Sequence, residues 1–411
     1  MGLLSNLLGG LTPARAYPLA TLGGIELPVS LEPYHLLLAG STGTGKTTLL
    51  DELLRTVIPR GDRAVICDPN GHHLSRFWQP GDVVLNPFDK RSPGWSIFNE
   101  VRKSFDYDRL AKSVVPVAHG ADAQWHHYAQ VLLSESLCAL MLRGEGDTVS
   151  LMRWATTATR DELAGLLVGT PAQGLFDQDA AKALASTRFI LTSFLAAHKY
   201  MQAGDFSLRS WLESGAGNLY LTWREDMQSA LMPLLSCWVD VIANAVLSLP
   251  VDPDRRLWLI LDELGGLGRL TSLEAALTRG RKHGLCVVAG LQSTAQLDRL
   301  YGREGAVVMR SCFRSLVALG IAKSDPDTAD VMSRALGERE IERALASRST
   351  GPQGITKGET VQRTTERLVM ASEISELPDL TAYVALAGNQ PVRLVSITPQ
   401  QLPVVATAME E

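Results

Sequence analysis

The stretch "HLLLAGSTGTGKTTLLDELLRTV", His35–Val57, decides the reading of this chain. It opens with a short apolar run of strand type and closes with leucines at helical spacing. Between them "GSTGTGKT", Gly40–Thr47, matches G-x-x-x-x-G-K-[ST] in full. Strand, glycine-rich loop and helix in that order make a phosphate-binding loop. Glycines let the backbone approach an anion, and the loop amides and the helix N-terminus then bind it. The expected nucleotide-binding residues are Gly40, Ser41, Thr42, Gly43, Thr44, Gly45, Lys46 and Thr47. Lys46 would reach the β- and γ-phosphates, and the Thr47 hydroxyl would ligate Mg²⁺.

Further strand-like runs surround this unit. They are "AVICDP" (64–69), "DVVLNPF" (82–88), "NLYLTW" (218–223), "RLWLILDE" (256–263), "CVVAGLQ" (286–292) and "SLVALGI" (315–321). Most are continuous apolar runs ended by Gly, Pro or Asp, the pattern of strands buried on both faces of a parallel sheet. Helical patterns at Thr47–Val57, Met232–Ser248 and Leu273–His283 alternate with them, which predicts an α/β, doubly wound sheet. From about 92 to 212 strand signals vanish and apolar residues recur at three-to-four spacing. That texture predicts an all-α domain inserted into the α/β domain. The expected division is an N-terminal segment 1–30, an α/β domain of 31–91 and 213–411, and the helical insertion 92–212. Towards the end, "ASRSTGPQGITKGETVQRTTER" reads as an exposed, mobile loop. "AYVALAGNQPVRLVSI" reads as a hairpin turning at 388–390 that adds edge strands.

The acidic strand supplies the second half of the chemistry. "LWLILDEL" ends a buried strand in two carboxylates, which are costly near a core unless they have a task. Asp262 fits the Mg²⁺ contact of the second P-loop motif, and Glu263 fits the residue that polarises the attacking water. Lys46 and Asp262 lie 216 positions apart, far more than a compact P-loop core needs, and the helical insertion accounts for most of the excess. Neither N-K-x-D nor L-S-G-G-Q occurs, which argues against a GTPase and a transporter-type ATPase.

"LTRGRKHGLCVVAGLQST", Leu277–Thr294, joins a basic helix end to the next strand. Gln292, at the carboxyl end of that strand, points to the ligand crevice of such a sheet. Arg279, Arg281 and Lys282 fall at the opposite end. There they would complement the helix dipole, contact a DNA backbone, or reach the γ-phosphate of a neighbouring subunit in a ring.

Composition sets the outer bounds. The 411 residues carry a net charge of −5, so any nucleic-acid contact needs local basic patches. The five cysteines are scattered and contain no C-x-x-C, which predicts free thiols and no metal site among them. The N-terminal apolar run of about ten residues is a poor signal peptide and too short to cross a bilayer. Leu231–Leu249 contains Pro, Asp and Asn and reads as a buried helix.

Seven blocks in order carry a resemblance: "GSTGTGKT", "VICDPNG", "LNPFDKRSPGWSIFNE", "NLYLTWREDM", "LWLILDELGGL", "LTRGRKHGLCVVAGLQSTAQLDRLYG" and "ELPDLTAYVALAGNQP". Together, from about residue 25 to 400, they are similar to the cytoplasmic part of type IV secretion coupling proteins of the TrwB/TraD kind. The resemblance implies a RecA-like P-loop domain plus an all-α domain, assembled as a homo-hexamer. It implies a DNA-stimulated ATPase using ATP and Mg²⁺, which couples relaxase-bound single-stranded plasmid DNA to the secretion channel. The alternative within the same resemblance is a nucleotide-gated receptor for relaxase or effector proteins. By motif, Lys46 and Thr47 take the first-motif role, and Asp262 and Glu263 the second. Arg281 takes the trans finger and Gln292 the third-motif sensor. Implied partners are single- and double-stranded DNA, relaxase and relaxosome proteins, the channel ATPases and inner-membrane components. Trp125, in "ADAQWHHYAQ", is a candidate for stacking on DNA at the helical domain, beside the reading of a helix-packing Trp. Members of the family it resembles usually carry two membrane helices before the P-loop domain, and here about 35 residues precede it. The chain as given is expected to be cytoplasmic, acting at the inner face of the bacterial inner membrane, as a soluble fragment or a natural short form.

Overall fold

The computed structural model describes residues 18–118, 120–351 and 354–411. The N-terminal apolar run lies outside the described residues, as does most of the expected 1–30 segment.

The described residues open with a small hairpin, β1 (Ala20–Leu22) and β2 (Ile25–Leu27). Then come β3 (Leu36–Ala39), α1 (Lys46–Val57), β4 (Arg63–Pro69), α2 (His72–Phe77) and β5 (Val83–Leu85). Helices follow: α3 (Asp106–Val114), α4 (Ala123–Leu142), α5 (Thr148–Met152), α6 (Arg160–Leu166), α7 (Ala181–Leu195) and α8 (Leu208–Ser214). The sheet resumes with β6 (Leu219–Trp223), α9 (Gln228–Val246), β7 (Leu257–Leu261), α10 (Leu273–Arg279) and β8 (Leu285–Leu291). It continues through α11 (Thr294–Ser311), β9 (Ser315–Leu319) and α12 (Pro326–Leu336). Last come β10 (Glu338–Gly351), β11 (Gly354–Arg367), α13 (Ala371–Ser375), β12 (Thr381–Ala385) and β13 (Arg393–Ser396).

One nine-stranded sheet runs in the order β13-β12-β9-β3-β8-β7-β4-β6-β5. From β9 to β5 every pairing is parallel, and β12 and β13 join antiparallel at one edge. Strands β3, β7 and β8 are buried along their whole length, which requires helices on both faces. Helix α1 buries Leu49, Leu50, Leu53, Leu54 and Val57 against one face of the sheet. Burying each such side chain contributes roughly 1.5–3 kcal/mol. Helix α9 is apolar and long enough to cross a membrane by composition, yet it is mostly buried inside the protein. Its Asp240 accepts hydrogen bonds from Ser113 Oγ (2.6 Å) and Ser272 N (2.5 Å). That carboxylate ties α3 to the segment after the acidic strand. Cys67, Cys237 and Cys286 are buried thiols, as their apolar surroundings predict.

Two details differ from the sequence reading. The segment expected as a mobile loop is a long antiparallel ribbon, with Glu338 opposite Arg367 and Gly351 opposite Gly354. Its Thr and Val residues favour a pleated strand, and cross-strand pairs such as Arg343–Glu366 (2.5 Å) and Arg363–Glu342 (2.9 Å) hold the base. Helix α10 ends at Arg279, and Gly280–His283 continues as a 3₁₀ turn before Gly284 at φ 80°. The edge hairpin forms as expected, with Val384 opposite Arg393 and Gly388 (φ 89°) in its connection.

Candidate functional site

Sheet register assembles the site. Ala39 pairs with Leu291, and Leu261 pairs with Ala289, so β3, β7 and β8 end almost level. The next residues are Gly40, Asp262 and Gln292. Gly40 N donates to Leu291 O at 3.0 Å, which fixes the start of the loop. Two glycines are required here. Gly45, before α1, has φ 114°, a conformation L side chains rarely adopt. A Cβ at Gly290 would lie 1.9 Å from the Asp262 carbonyl oxygen, so β8 approaches the acidic strand end only without one.

A cavity of about 490 Å³ follows, lined by Thr42, Lys46, Thr47, Asp262, Glu263 and Gln292, together with Asn70, His72 and Trp223. Lys46 Nζ donates to the carbonyls of Gly40 (2.6 Å) and Ser41 (3.0 Å). Burial lowers the Lys46 pKa, against the opposing pull of Glu263 and Asp262. Thr47 Oγ1 donates to Asp262 Oδ2 at 3.1 Å. A hydroxyl and a carboxylate side by side are hard oxygen donors that suit a Mg²⁺-type cation keeping several waters. Gln292 bridges two elements: its Nε2 donates to Glu263 Oε2 (2.5 Å), and its Oε1 accepts from Thr42 Oγ1 (3.2 Å). Gln296 Nε2 adds a longer bond to Glu263 Oε1 (3.3 Å). Burial raises the Glu263 pKa, and the Gln292 amide and Lys46 moderate the rise. Asp262 and Glu263, which alternate in a strand, both face the cavity because β7 ends before them.

Arg281 stands elsewhere. It is exposed in the turn before β8 and stacks on the Tyr34 ring at 4.0 Å. Arg314 lies against the same ring at 4.2 Å, so one tyrosine serves two guanidinium groups. Arg256, Arg279 and Lys282 line the same surface hollow. Seven residues of β8 separate this end from Gln292, about 23 Å at strand spacing. Arg281 and Gln292 therefore do not meet within one chain. Three further arginines have carboxylate partners: Arg256 with Glu32 (2.8 Å), Arg255 with Asp252 (3.6 Å) and Arg310 with Asp298 (3.7 Å). Trp125 is half-buried near the start of α4, edge-on to Tyr128 at 5.9 Å.

The sequence reading passed over Asp51, His72 and His73 beside the metal-side carboxylate, and Tyr34 under Arg281. "DPNGHH" after a strand end was the available signal for the first group. Nothing local announces the second.

An α/β sheet with a complete phosphate loop and an acidic pair defines the class as a P-loop nucleotide-binding protein. The family model described as the type IV secretion-system coupling protein DNA-binding domain matches residues 19–398. The chain thus belongs to the type IV secretion coupling proteins, and it has their RecA-like architecture. Among solved structures, the unbound monoclinic form of the conjugative coupling protein TrwBdeltaN70 is 48% identical. The match covers 97% of this chain and 93% of that one, with a TM-score of 0.91. TrwB in complex with ADP and Mg²⁺ matches with the same identity and coverage at a TM-score of 0.89. The coupling protein TraD of Escherichia coli K12 is 29% identical over 406 residues, 93% of this chain and 55% of TraD. The chain thus spans about half the length of that relative.

Proposed function

We propose that this chain is the ATP-hydrolysing part of a conjugative coupling protein, a DNA-stimulated motor that works as a hexameric ring. The observation that carries this reading is the meeting of Lys46, Thr47, Asp262, Glu263 and Gln292 in one cavity at the level ends of three parallel strands. TrwB, similar along nearly the whole chain, has been solved with ADP and Mg²⁺ and with a non-hydrolysable ATP analogue, which supports the same ligands here.

The residues divide the work. Lys46, satisfied by loop carbonyls in this structure, turns its ammonium to the β- and γ-phosphates when nucleotide enters. Mg²⁺ held near Thr47 and Asp262 would neutralise charge on the phosphate oxygens. Glu263, held by Gln292 and shifted towards neutrality by burial, orients the attacking water and accepts its proton. Gln292 also touches Thr42 of the loop, so a change at the γ-phosphate is passed to Glu263 through one amide. Arg281 lies too far away to act on its own nucleotide. We assign it to the nucleotide of the next subunit, where an arginine finger contributes about 10³–10⁵ in rate. The helical region 92–212 is assigned as the inserted domain that receives DNA, with Trp125 available for stacking on a base. Relaxase and relaxosome proteins, the channel ATPases and the inner-membrane face complete the setting.

ATP turnover measured with and without single- and double-stranded DNA tests this reading. Turnover should rise with DNA and fall with salt, because phosphate contacts release counterions. Turnover indifferent to DNA at low salt contradicts it. Conjugal transfer retained by Lys46→Ala would leave the receptor role in its place.

A further inference from the structure

His73 is fully buried, and its ring Nε2 has no hydrogen-bond partner. The ring stands between two acids and is bonded to one of them. Nδ1 lies 2.8 Å from Asp51 Oδ1, and Nε2 faces Asp262 Oδ2 at 4.0 Å. The backbone is pinned as well, since Asp68 accepts from His73 N (3.0 Å) and Leu74 N (2.7 Å) at the start of α2. Asp51 lies one helical turn after Thr47 on α1, and Thr47 donates to the same Asp262 oxygen that His73 faces. Thr47, Asp262, His73 and Asp51 thus form a closed path that leaves α1 and returns to it. It passes through the acidic strand end and α2.

We propose that His73 is a positioning residue for Asp262. Its ring, braced by Asp51 against the P-loop helix, sets the rotation of the carboxylate that faces the metal side of the nucleotide site. This rests on the nucleotide-site reading above, and it assigns the acid its outer support. Partners of this kind are general at metal sites, where a group behind the ligand fixes its orientation.

Asp51, His72 and His73 also lie close enough together to suggest a cation site of their own. Arg76 donates to His72 Nδ1 at 3.0 Å, so the proton of a neutral ring sits on Nε2, which faces Asp51 at 2.9 Å. That nitrogen has no lone pair for a metal, and the cluster is a hydrogen-bond brace.

The test is binding of a fluorescent ADP analogue to the full chain, titrated with Mg²⁺ and repeated in EDTA, so no turnover is read. His73→Asn retains an amide towards Asp51 and withdraws the group facing Asp262. It should raise the Mg²⁺ concentration for half-effect about 10-fold while changing affinity in EDTA less than about twofold. His73→Gln, whose amide reaches the Nε2 position, should recover most of the loss. Asp51→Asn should shift the midpoint in the same direction by less. A folded His73→Asn with a midpoint within about twofold of wild type overturns the proposal. So does an equal loss in EDTA, which marks a purely structural role, or a Gln variant no better than Asn. If the wild-type chain binds the analogue with no Mg²⁺ effect at all, it is the nucleotide-site reading that fails.

Discussion

The two ends of strand β8 are opposites. At its carboxyl end Gln292 is hydrogen-bonded to both Thr42 and Glu263, inside a cavity shared with Lys46 and Asp262. At its amino end Arg281 is exposed, without a carboxylate partner among the described contacts, and rests on the Tyr34 ring. Bonding of that kind fixes side chains for chemistry in place. A cation stacked on a ring has its guanidinium edges free, at a cost of only about 0.5–1 kcal/mol when it leaves. The difference fits the proposal above, in which β8 serves its own nucleotide at one end and a neighbour's at the other.

The strongest way to break this contrast is at the cavity. Lys46→Ala should take ATP turnover to background at any protein concentration, and measurable steady-state turnover would contradict the assignment. At the opposite end, Arg281→Ala should lower turnover about 10³-fold or more. It should leave nucleotide affinity of the dilute chain unchanged, as equilibrium binding can establish.

Acid should act on the Arg281 end next. His35 donates to Leu277 O (2.8 Å) and accepts from Val287 N (3.1 Å), joining β3 to the helix that carries the basic turn. Burial lowers its pKa to about 4. Above the ordinary value of 6.5 the ring is neutral folded or unfolded, and its contribution is constant. Between 6.5 and 4 only the unfolded chain takes the proton, so stability falls, by about 3 kcal/mol when complete. His198, buried in the helical region with a pKa also near 4, acts in the same sense. Urea midpoints over that window should therefore fall less steeply in His35→Asn than in wild type, and equal slopes would refute the assignment.

Smaller effects sharpen the comparison. Gln292→Ala should cost about 10²-fold in turnover, as loss of one preorganised polar contact does. It should also raise the Glu263 pKa, visible as a shift of the acid limb of the pH–rate profile to higher pH. Tyr34→Leu should lower stability by about 1–2 kcal/mol through two lost stacking contacts, with turnover changed only a few-fold. A loss as large as that of Arg281→Ala would mean that the ring itself takes part.

Much of this was legible in the sequence because the physics is local. Continuous apolar runs ended by Gly or Asp mark buried parallel strands, and "GSTGTGKT" and "LDE" mark the carboxyl ends of two of them. The register that levels those ends with Gln292 depends on pairing across the sheet, yet strand order alone anticipates it. The ribbon from Glu338 to Arg367 was hidden because Ser, Thr, Gly and charge show no apolar face, and its order comes from cross-strand pairing. The His73–Asp262 contact spans 189 positions and joins α2 to the end of β7. The Tyr34–Arg281 stack spans 247. No periodicity reports such contacts, since only the folded sheet makes them.

The central claim is that one active site takes residues from two chains, and mixing variants tests it most directly. Arg281→Ala and Lys46→Ala chains, each inactive alone, are combined and ATP turnover is followed against protein concentration with single-stranded DNA present. Interfaces that join an intact Lys46 to a neighbour's intact Arg281 should restore hydrolysis, rising with concentration as rings form. No recovery in oligomers shown to contain both chains would contradict the account.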